Sequence, residues 1–225
     1  KSLKDDTYNL FNIKKEIHVI PNFIELDKNR NENLISCQRS VMAKKEERIV
    51  THISNFRKVK RIPDVIKLFY KIQEKIPAKL MMVGDGPEKA KAEQLVNQLG
   101  IQDKVIFFGN SNEIDKILSY SDLFLLPSET ESFGLAALEA MALSVPVISS
   151  NSGGLPEVNF DGISGYLSDV GNIEAMAENA LKIIRDDKTL QEFKARALET
   201  AKQFDIQNIL PLYEELYLRA ISIYA

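Results

Sequence analysis

The sequence predicts an α/β fold with a doubly wound, mostly parallel sheet and helices at the C-terminal end. Three observations support this prediction. Short apolar runs recur along the 225 residues, amphipathic stretches at helical spacing separate them, and small or charged residues follow the runs. Repeated strand–helix–strand alternation indicates right-handed βαβ units, in which the strands of a helix-covered parallel sheet are apolar on both faces.

Six apolar runs are predicted to be buried strands because they are short and bounded by turn residues. They are Ile17–Ile20, Ile49–Ile53, Lys79–Val83, Val105–Phe108, Leu123–Leu126 and Val145–Ser149. The helices between them show apolar side chains at helical spacing from Ile62 to Ile76, and Pro87 and Gly100 bracket a helix over 88–99. Two further crossover helices are predicted over 113–119 and 135–143.

Both ends of the chain depart from this alternation. Three successive helices without an intervening strand are predicted over 173–184, 190–204 and 209–223. Residues 1–15 are typical of the end of a helix followed by a polar linker, and the polar stretch 25–47 is typical of a surface helix. The chain opens with KSLKDDTYNL, without a Met or a signal segment, which suggests a part of a longer protein.

Composition argues against several classes of protein. A net charge of −3 gives no reason to expect a nucleic-acid partner, and the apolar runs are far shorter than the roughly 20 residues that span a bilayer. Cys37 is the single cysteine and cannot form an internal disulfide, so we expect a cytoplasmic protein and an inert thiol. The two histidines, His18 and His52, are interpreted as structural, and no zinc site is expected.

Candidate ligand-binding residues follow the strands, because ligands of an open parallel sheet bind beyond the carboxyl ends of its strands. The strand ending at Ile53 is followed by Ser54–Arg61, which holds four cations. Arg and Lys bind phosphate oxygens well, so this basic loop is either a diphosphate-binding loop or a solvated surface loop. Gly84–Pro87 follows the next strand, where GDGP suits a ligand loop and equally suits a turn before a helix.

The stretch after Leu126 carries the most specific pattern. Its sequence PSETESFG leads into a helix that begins near Gly134, where unpaired backbone N–H groups suit an anion. Glu131 precedes this helix, and Glu139 lies in its second turn and leans back toward its N-terminus. Glu139 is therefore a candidate for contact with a ribose hydroxyl and Glu131 for contact with a sugar. For Glu131, the alternative is an acidic residue that complements the helix dipole. For Glu139, the alternative is a surface residue on an exposed edge of the helix.

Glu131 and Glu139, with seven residues between them in PSETESFGLAALEAMA, resemble the donor signature of the retaining GT-B glycosyltransferases of the group 1 family. The segments HVIPN, SNFRKVKR, VGDGP, FFGN, PVISSNSGGLPE and DGISGYL occur in the order expected for that family. The resemblance covers nearly the whole chain and implies the C-terminal, Rossmann-like half of a GT-B fold, which binds a UDP-sugar. The segments SNFRKVKR and NSGGLPE are most similar to those of the enzymes of bacillithiol biosynthesis that transfer N-acetylglucosamine from UDP to L-malate.

The resemblance also implies a role for individual residues. Lys60 binds the donor diphosphate, Glu131 contacts the transferred sugar and Glu139 holds the ribose hydroxyls. The family has an Arg five residues before Lys60, where this chain has Asn55, and we expect Arg57 to replace it. Catalysis is thus assigned to Glu131, Lys60 and Arg57, without a metal ion or other cofactor. The remaining donor-binding residues are Ser54, Asn55, Gly84, Asp85, Gly86, Phe108, Gly109, Asn110, Ser132, Phe133, Gly134 and Leu135.

The implied organisation has three parts. Residues 1–15 are the end of an N-terminal acceptor domain and a linker, residues 16–208 form the donor-binding domain, and residues 209–225 form a helix that packs back toward the acceptor domain. The apolar side chains of this last helix, Tyr213, Leu216, Tyr217 and Ile221, are therefore expected to be partly exposed.

The expected partners are the UDP-sugar, a small-molecule hydroxyl acceptor such as malate, and the protein's own N-terminal domain, and this chain alone is expected to be inactive. Three alternatives stay open: a transferase with another donor or acceptor, an epimerase or phosphorylase of the same fold, and a non-catalytic nucleotide-binding module.

Overall fold

The fold is seen in a computed structural model that describes residues 2–26 and 39–224. Cys37 and most of the polar stretch predicted as a surface helix over 25–47 lie outside the described residues. The part of that stretch which the structure describes includes one short helix, Arg39–Met42.

The sheet contains the strands β1 Arg48–Ile53, β2 Ala78–Val83, β3 Val105–Gly109, β4 Leu123–Leu126, β5 Val147–Ser150 and β6 Gly165–Ser168. They form one six-stranded sheet in the order β3-β2-β1-β4-β5-β6, and all pairings are parallel. The strand order reverses between β1 and β4, which is the switch point where doubly wound sheets bind their ligands. The predicted fold class is confirmed.

The helices that the structure describes are α1 Ser2–Phe11, α2 Arg39–Met42, α3 Ile62–Gln73, α4 Lys89–Gln98, α5 Ile114–Ser119, α6 Leu135–Ala142, α7 Leu155–Val158, α8 Ile173–Ile184, α9 Asp187–Lys202 and α10 Ile206–Tyr224. Successive strand side chains point to opposite faces of the sheet. Leu123 and Leu125 of β4 belong to the core beneath α3, α4 and α8, whereas Phe124 and Leu126 belong to the core beneath α6 and α9. Helices therefore cover both faces of the sheet.

Two strand assignments change. The predicted strand Ile17–Ile20 is wrong, because this segment is irregular and Val19 in it is 45% exposed. Among the described residues this segment pairs with no strand of the sheet, whose order runs from β3 to β6 without it. Conversely, β6 was not among the predicted strands, since GYLS contains no apolar run. Gly165 permits this pairing, because a Cβ there would lie 1.7 Å from the Val147 carbonyl oxygen.

The C-terminal helices occur in the predicted succession, with shifted ends. Helix α9 begins at Asp187 rather than at Leu190, because the Asp186 side chain caps it and accepts a hydrogen bond from the Thr189 N–H at 2.8 Å. On α10, Tyr217 and Ile221 are each 64% exposed, while Tyr213 and Leu216 are half-buried. The expected partial exposure of these four side chains is confirmed.

Candidate functional site

Hydrogen bonds join the loops at the carboxyl edge of the sheet. The Gly84 N–H, directly after β2, donates to the Gly109 carbonyl at the end of β3 at 2.7 Å. The Glu129 N–H, after β4, donates to the Val59 carbonyl in the basic loop after β1 at 2.8 Å. The four loops that the sequence analysis treated separately are therefore joined in two pairs.

The GDGP loop is packed tightly against the start of the basic loop. Gly84 has a φ of +119°, and a Cβ on it would lie 1.8 Å from the Ser54 carbonyl oxygen. A Cβ on Gly86 would lie 2.2 Å from the Asn55 carbonyl oxygen. The two glycines are thus required for backbone packing, which is a structural role that sequence spacing alone did not distinguish from ligand binding.

His52 is buried beneath the basic loop and links it to β4. Its Nδ1 lies 2.8 Å from the Leu125 carbonyl oxygen and its Nε2 lies 2.8 Å from Ser54 Oγ. A carbonyl only accepts, so Nδ1 carries the proton and Nε2 accepts from the Ser54 hydroxyl. Burial lowers the pKa of His52 from 6.5 to about 4, with a smaller contribution from the charge of Lys60. The histidine is therefore neutral and structural at physiological pH.

The four cationic side chains of the basic loop lie in different environments. Arg61 forms an ion pair with Asp64 in the first turn of α3, and Arg57 and Lys58 are exposed. Lys60 ends a short 3-10 turn over 58–60 and has a side chain that is only 20% exposed. Lys60 is the cation of this loop that lines a cavity beside the N-terminus of α6, whereas Arg57, the expected substitute for an arginine at Asn55, does not line it.

An ion pair between Lys60 and Glu131 forms the centre of the site. Lys60 Nζ lies 2.5 Å from Glu131 Oε1, and the Glu131 side chain is 13% exposed. The hydroxyl of Ser128 donates to the same Oε1 at 2.8 Å. The structure thus brings together two residues that the sequence assigned to the diphosphate and to the sugar, and it adds Ser128 to them.

The loop over 127–134 enters α6 through a glycine. Gly134 has a φ of +100°, and a Cβ on it would lie 2.8 Å from Leu155 Cδ2 of α7. Phe133, just before it, packs edge-on against Phe204 with the ring centroids 5.8 Å apart. The helix begins at Leu135, so the predicted helix start is confirmed, and close packing fixes the chain where it turns into the helix.

The NSGGLPE loop after β5 supports the same stretch from its other side. The Gly154 N–H donates to the Glu131 carbonyl at 2.7 Å, and the Ser152 hydroxyl donates to the Glu129 carbonyl at 2.7 Å. The backbone that carries Glu131 is therefore held by neighbouring loops on both sides.

These groups line a cavity of about 190 Å³ beside the N-terminus of α6. Its lining consists of Asn22, Lys60, Leu126, Glu131, Ser132, Phe133, Gly134, Leu135 and Ala136. A cation, a carboxylate and the first backbone N–H groups of a helix thus face one small space. Such a set can hold an anionic group next to a hydroxyl-rich one. We call this space the central cleft.

Other nominated residues do not line the central cleft. Glu139 is exposed on α6, and Phe108 packs against the hydrophobic core. Asp85 accepts hydrogen bonds from Lys89 Nζ at 3.1 Å and from the Gly86 N–H at 2.7 Å. These bonds, the one from Lys89 first, lower the pKa of Asp85. The Asp85 carboxylate is thus engaged within its own loop and the start of α4.

Two polar residues of the site were not predicted from the sequence as site residues. Asn22 belongs to the HVIPN segment and lines the central cleft, and Ser128 is fully buried and bonded to Glu131. Both residues lie just after an apolar run of the sequence. This position alone would have identified them as candidates, as it did for the residues of the other loops.

Among residues 2–26 and 39–224, no group of three or more His, Cys, Asp or Glu side chains is arranged to hold a metal ion. Over the same described residues, no helix has the length and apolar character needed to cross a membrane.

The chain belongs to the family of group 1 glycosyl transferases, whose family description matches residues 37–200. The six strands of the sheet and the loops that carry Lys60, Ser128 and Glu131 lie within that match. The architecture is also that of GT-B glycosyltransferases, as the similar solved structures show.

Among curated proteins, the chain is 41% identical over 217 residues to the N-acetyl-alpha-D-glucosaminyl L-malate synthase of Bacillus anthracis, covering 96% of this chain and 57% of that protein. A crystal structure of a TarM mutant from S. aureus, in complex with fondaparinux, alpha-GlcNAc-glycerol and UDP, has a TM-score of 0.81 at 25% identity. The match covers 96% of this chain and 42% of TarM. A glycosyltransferase from Rickettsia africae has a TM-score of 0.86 at 22% identity, over 98% of this chain and 62% of that one. The chain thus spans about half the length of the relatives that it matches.

Proposed function

We propose that the chain is the donor-binding part of a retaining glycosyltransferase that moves N-acetylglucosamine from UDP to the hydroxyl of L-malate. The observation that carries this proposal is the pairing of Lys60 with Glu131 in the central cleft at 2.5 Å. It brings a cation of the kind that binds phosphate next to a carboxylate of the kind that accepts from sugar hydroxyls. Support for the donor comes from TarM, whose structure contains UDP. Support for the sugar and the acceptor comes from the name of the relative that is 41% identical.

The proposed chemistry depends on electrostatics. As the bond between the sugar C1 and the diphosphate breaks, negative charge grows on the β-phosphate, and a preorganised cation with helix N–H groups lowers the barrier. Lys60 supplies the cation. Leu135 and Ala136, the first two residues of α6, line the central cleft and supply the helix N–H groups. The acceptor hydroxyl enters on the face that the diphosphate leaves, so the configuration at C1 is retained. We expect no metal ion to be required, because the chain itself provides this charge.

The nucleoside is proposed to bind along β1, β2 and β3. Ser54 and Asn55 lie at the start of the basic loop, the backbone of Gly84 and Gly86 lies against them, and the FFGN segment ends β3. The uracil and ribose would extend from the central cleft toward these strand ends and toward Glu139. Arg57, which is exposed, would turn toward the diphosphate when the donor binds.

A ligand screen by thermal shift tests the donor assignment. At 100 times its Kd, a ligand stabilises the protein by about 2.7 kcal/mol. We expect this stabilisation with UDP and UDP-N-acetylglucosamine at lower concentrations than with ADP or GDP. A preference for ADP or GDP would contradict the donor assignment, and a response to none of the four nucleotides would contradict nucleotide binding by this chain altogether.

A second assay tests where the acceptor binds. The chain spans 57% of the relative's length, and we propose that the remainder of such a protein provides most of the contacts with malate. The 225-residue chain should therefore bind UDP in the screen and transfer no labelled N-acetylglucosamine to malate. Turnover by this chain would show that it contains the acceptor site.

A further inference from the structure

The orientation of the Glu131 carboxylate differs between its two oxygens. The ammonium of Lys60 and the hydroxyl of Ser128 both donate to Oε1, at 2.5 and 2.8 Å. Within the described residues no hydrogen bond ends on Oε2, and no buried side-chain oxygen lacks a partner. Oε2 is therefore not buried, and since Glu131 lines the central cleft, a ligand there can reach this oxygen. One oxygen is anchored to the protein, and the other is available to accept from a ligand hydroxyl.

Ser128 is suited to this anchoring role by its own surroundings. The residue is fully buried and lies two positions after the end of β4. Its carbonyl accepts a hydrogen bond from the hydroxyl of Ser150, at the end of the neighbouring strand β5. The position of Ser128 Oγ is thus set by the sheet itself, whereas Lys60 reaches Glu131 on a long and flexible side chain.

The two donors to Oε1 differ in what a donor substrate would do to them. A diphosphate in the central cleft competes with Glu131 for the ammonium of Lys60, because both are anions that accept from the same N–H groups. Ser128 is buried and has no such competing partner. When the diphosphate is bound, Ser128 is the anchor that remains on Glu131.

We propose that Ser128 is a positioning residue for sugar recognition, because it holds Glu131 with Oε2 directed at the donor sugar while Lys60 is engaged by the diphosphate. This proposal rests on the function proposed above. It predicts that loss of the Ser128 hydroxyl weakens recognition of the sugar and leaves recognition of the nucleotide intact.

The test is isothermal titration of the 225-residue chain with UDP and with UDP-N-acetylglucosamine, where the Kd for UDP divided by the Kd for the sugar nucleotide reports the contribution of the sugar. Ser128→Ala should lower that ratio about fivefold, the size of effect expected from the loss of one hydrogen bond of ordinary strength. Ser121→Ala is the matched control, since it removes another buried, hydrogen-bonded serine hydroxyl, located before β4 rather than after it. It should leave the ratio unchanged.

A double-mutant cycle shows whether Ser128 acts through Glu131. In a Glu131→Gln background, Ser128→Ala should have less than about a twofold further effect on the ratio. A full effect in that background, or an equal loss of UDP and UDP-sugar affinity in the single variant, would overturn the proposal. Unmodified chain that bound no UDP would refute the proposed function, and with it this inference. Intact UDP binding with an unchanged ratio in Ser128→Ala would refute the inference alone.

Discussion

The two halves of the carboxyl edge are built differently. Beside β4 and β5, the side chains of Lys60, Ser128 and Glu131 are turned toward one another in the central cleft. Beside β2 and β3, Asp85 is bonded within its own loop and Phe108 packs against the core. The first half presents side chains, and the second presents backbone held in place by close packing. The same criterion, a polar or small residue after a strand, therefore selects residues with different physical roles.

The largest expected effect concerns the loops beside β2 and β3, where the backbone is closely packed. Gly84→Ala should destabilise the protein by about 3 kcal/mol or more, because overpacking and an unfavourable φ each cost about 1–3 kcal/mol. In a domain of this size that lowers Tm by roughly 2–4 °C per kcal/mol, which calorimetry will measure. Gly100→Ala is the control, since Gly100 also has a positive φ, but no atom of the described residues lies within 4 Å of its added Cβ. Equal losses in both variants would mean that φ alone determines the effect.

A pH effect of similar size should arise from the histidine beneath the basic loop. The pKa of His52 is about 4 in the folded protein, compared with 6.5 for an unperturbed histidine, so the unfolded chain binds the extra proton first as pH falls. The contribution of neutral His52 to the free energy of unfolding should be fully present above pH 6.5. The free energy of unfolding should decrease by at most about 3 kcal/mol between pH 6.5 and 4. Urea unfolding over this range measures the decrease.

The histidine effect has a matched control in the other histidine. His52→Asn should remove most of this slope between pH 6.5 and 4, whereas His18→Gln, at an exposed position, should retain it. A slope that persists in the His52 variant would assign the pH dependence to carboxylates instead.

Lys60 should affect binding more than stability. Lys60→Ala is expected to weaken UDP binding by roughly 1.5–3 kcal/mol, the range for hydrogen bonds to charged groups, and to leave uridine nearly unaffected because uridine has no phosphate. Lys58→Ala, which removes an exposed cation of the same loop, should change the binding of either ligand by much less. Equal losses for UDP and uridine after Lys60→Ala would show that the loop itself had changed.

The smallest expected effect separates the two glutamates. Glu139→Gln should weaken UDP and UDP-N-acetylglucosamine by similar factors, about 0.5–1.5 kcal/mol each, because both ligands carry the same ribose. Glu131→Gln should not lower UDP affinity, because Glu131 competes with the diphosphate for Lys60, and it should weaken the sugar nucleotide relative to UDP. If the Glu139 variant binds both ligands normally, the exposed side chain of Glu139 is a surface residue of α6 and not part of the donor site.

Local patterns were sufficient to predict most of the fold and part of the site. The periodicity of α3 and α8, the glycine before α6 and the apolar runs of β1, β2 and β4 are properties of short stretches of sequence. The error at Ile17–Ile20 has a different origin, because a strand requires a hydrogen-bonding partner and an apolar run does not reveal one. β6 was missed for the converse reason: it pairs well with β5 although its sequence is not strongly apolar.

The contact between Lys60 and Glu131 could not have been predicted from spacing. It joins residues 71 positions apart, and it forms because β1 and β4 are neighbours in the sheet although two strands lie between them in sequence. Resemblance to a family assigned a ligand to each residue separately and gave no indication that the two residues contact each other. The orientation of Glu131 by Ser128 depends on the same strand order and on burial.

The hydrogen bond from Gly154 to the Glu131 carbonyl has a consequence for protein engineering. A library intended to change which sugar this cleft accepts would commonly randomise a whole loop, including residues 150–154. Those positions hold the backbone of the loop over 127–134 by hydrogen bonds. Most substitutions there would therefore displace Glu131 without offering a new contact to the sugar. Diversity confined to Asn22, Ser132 and Leu135, which line the central cleft and leave that support intact, should yield a higher fraction of folded and altered binders.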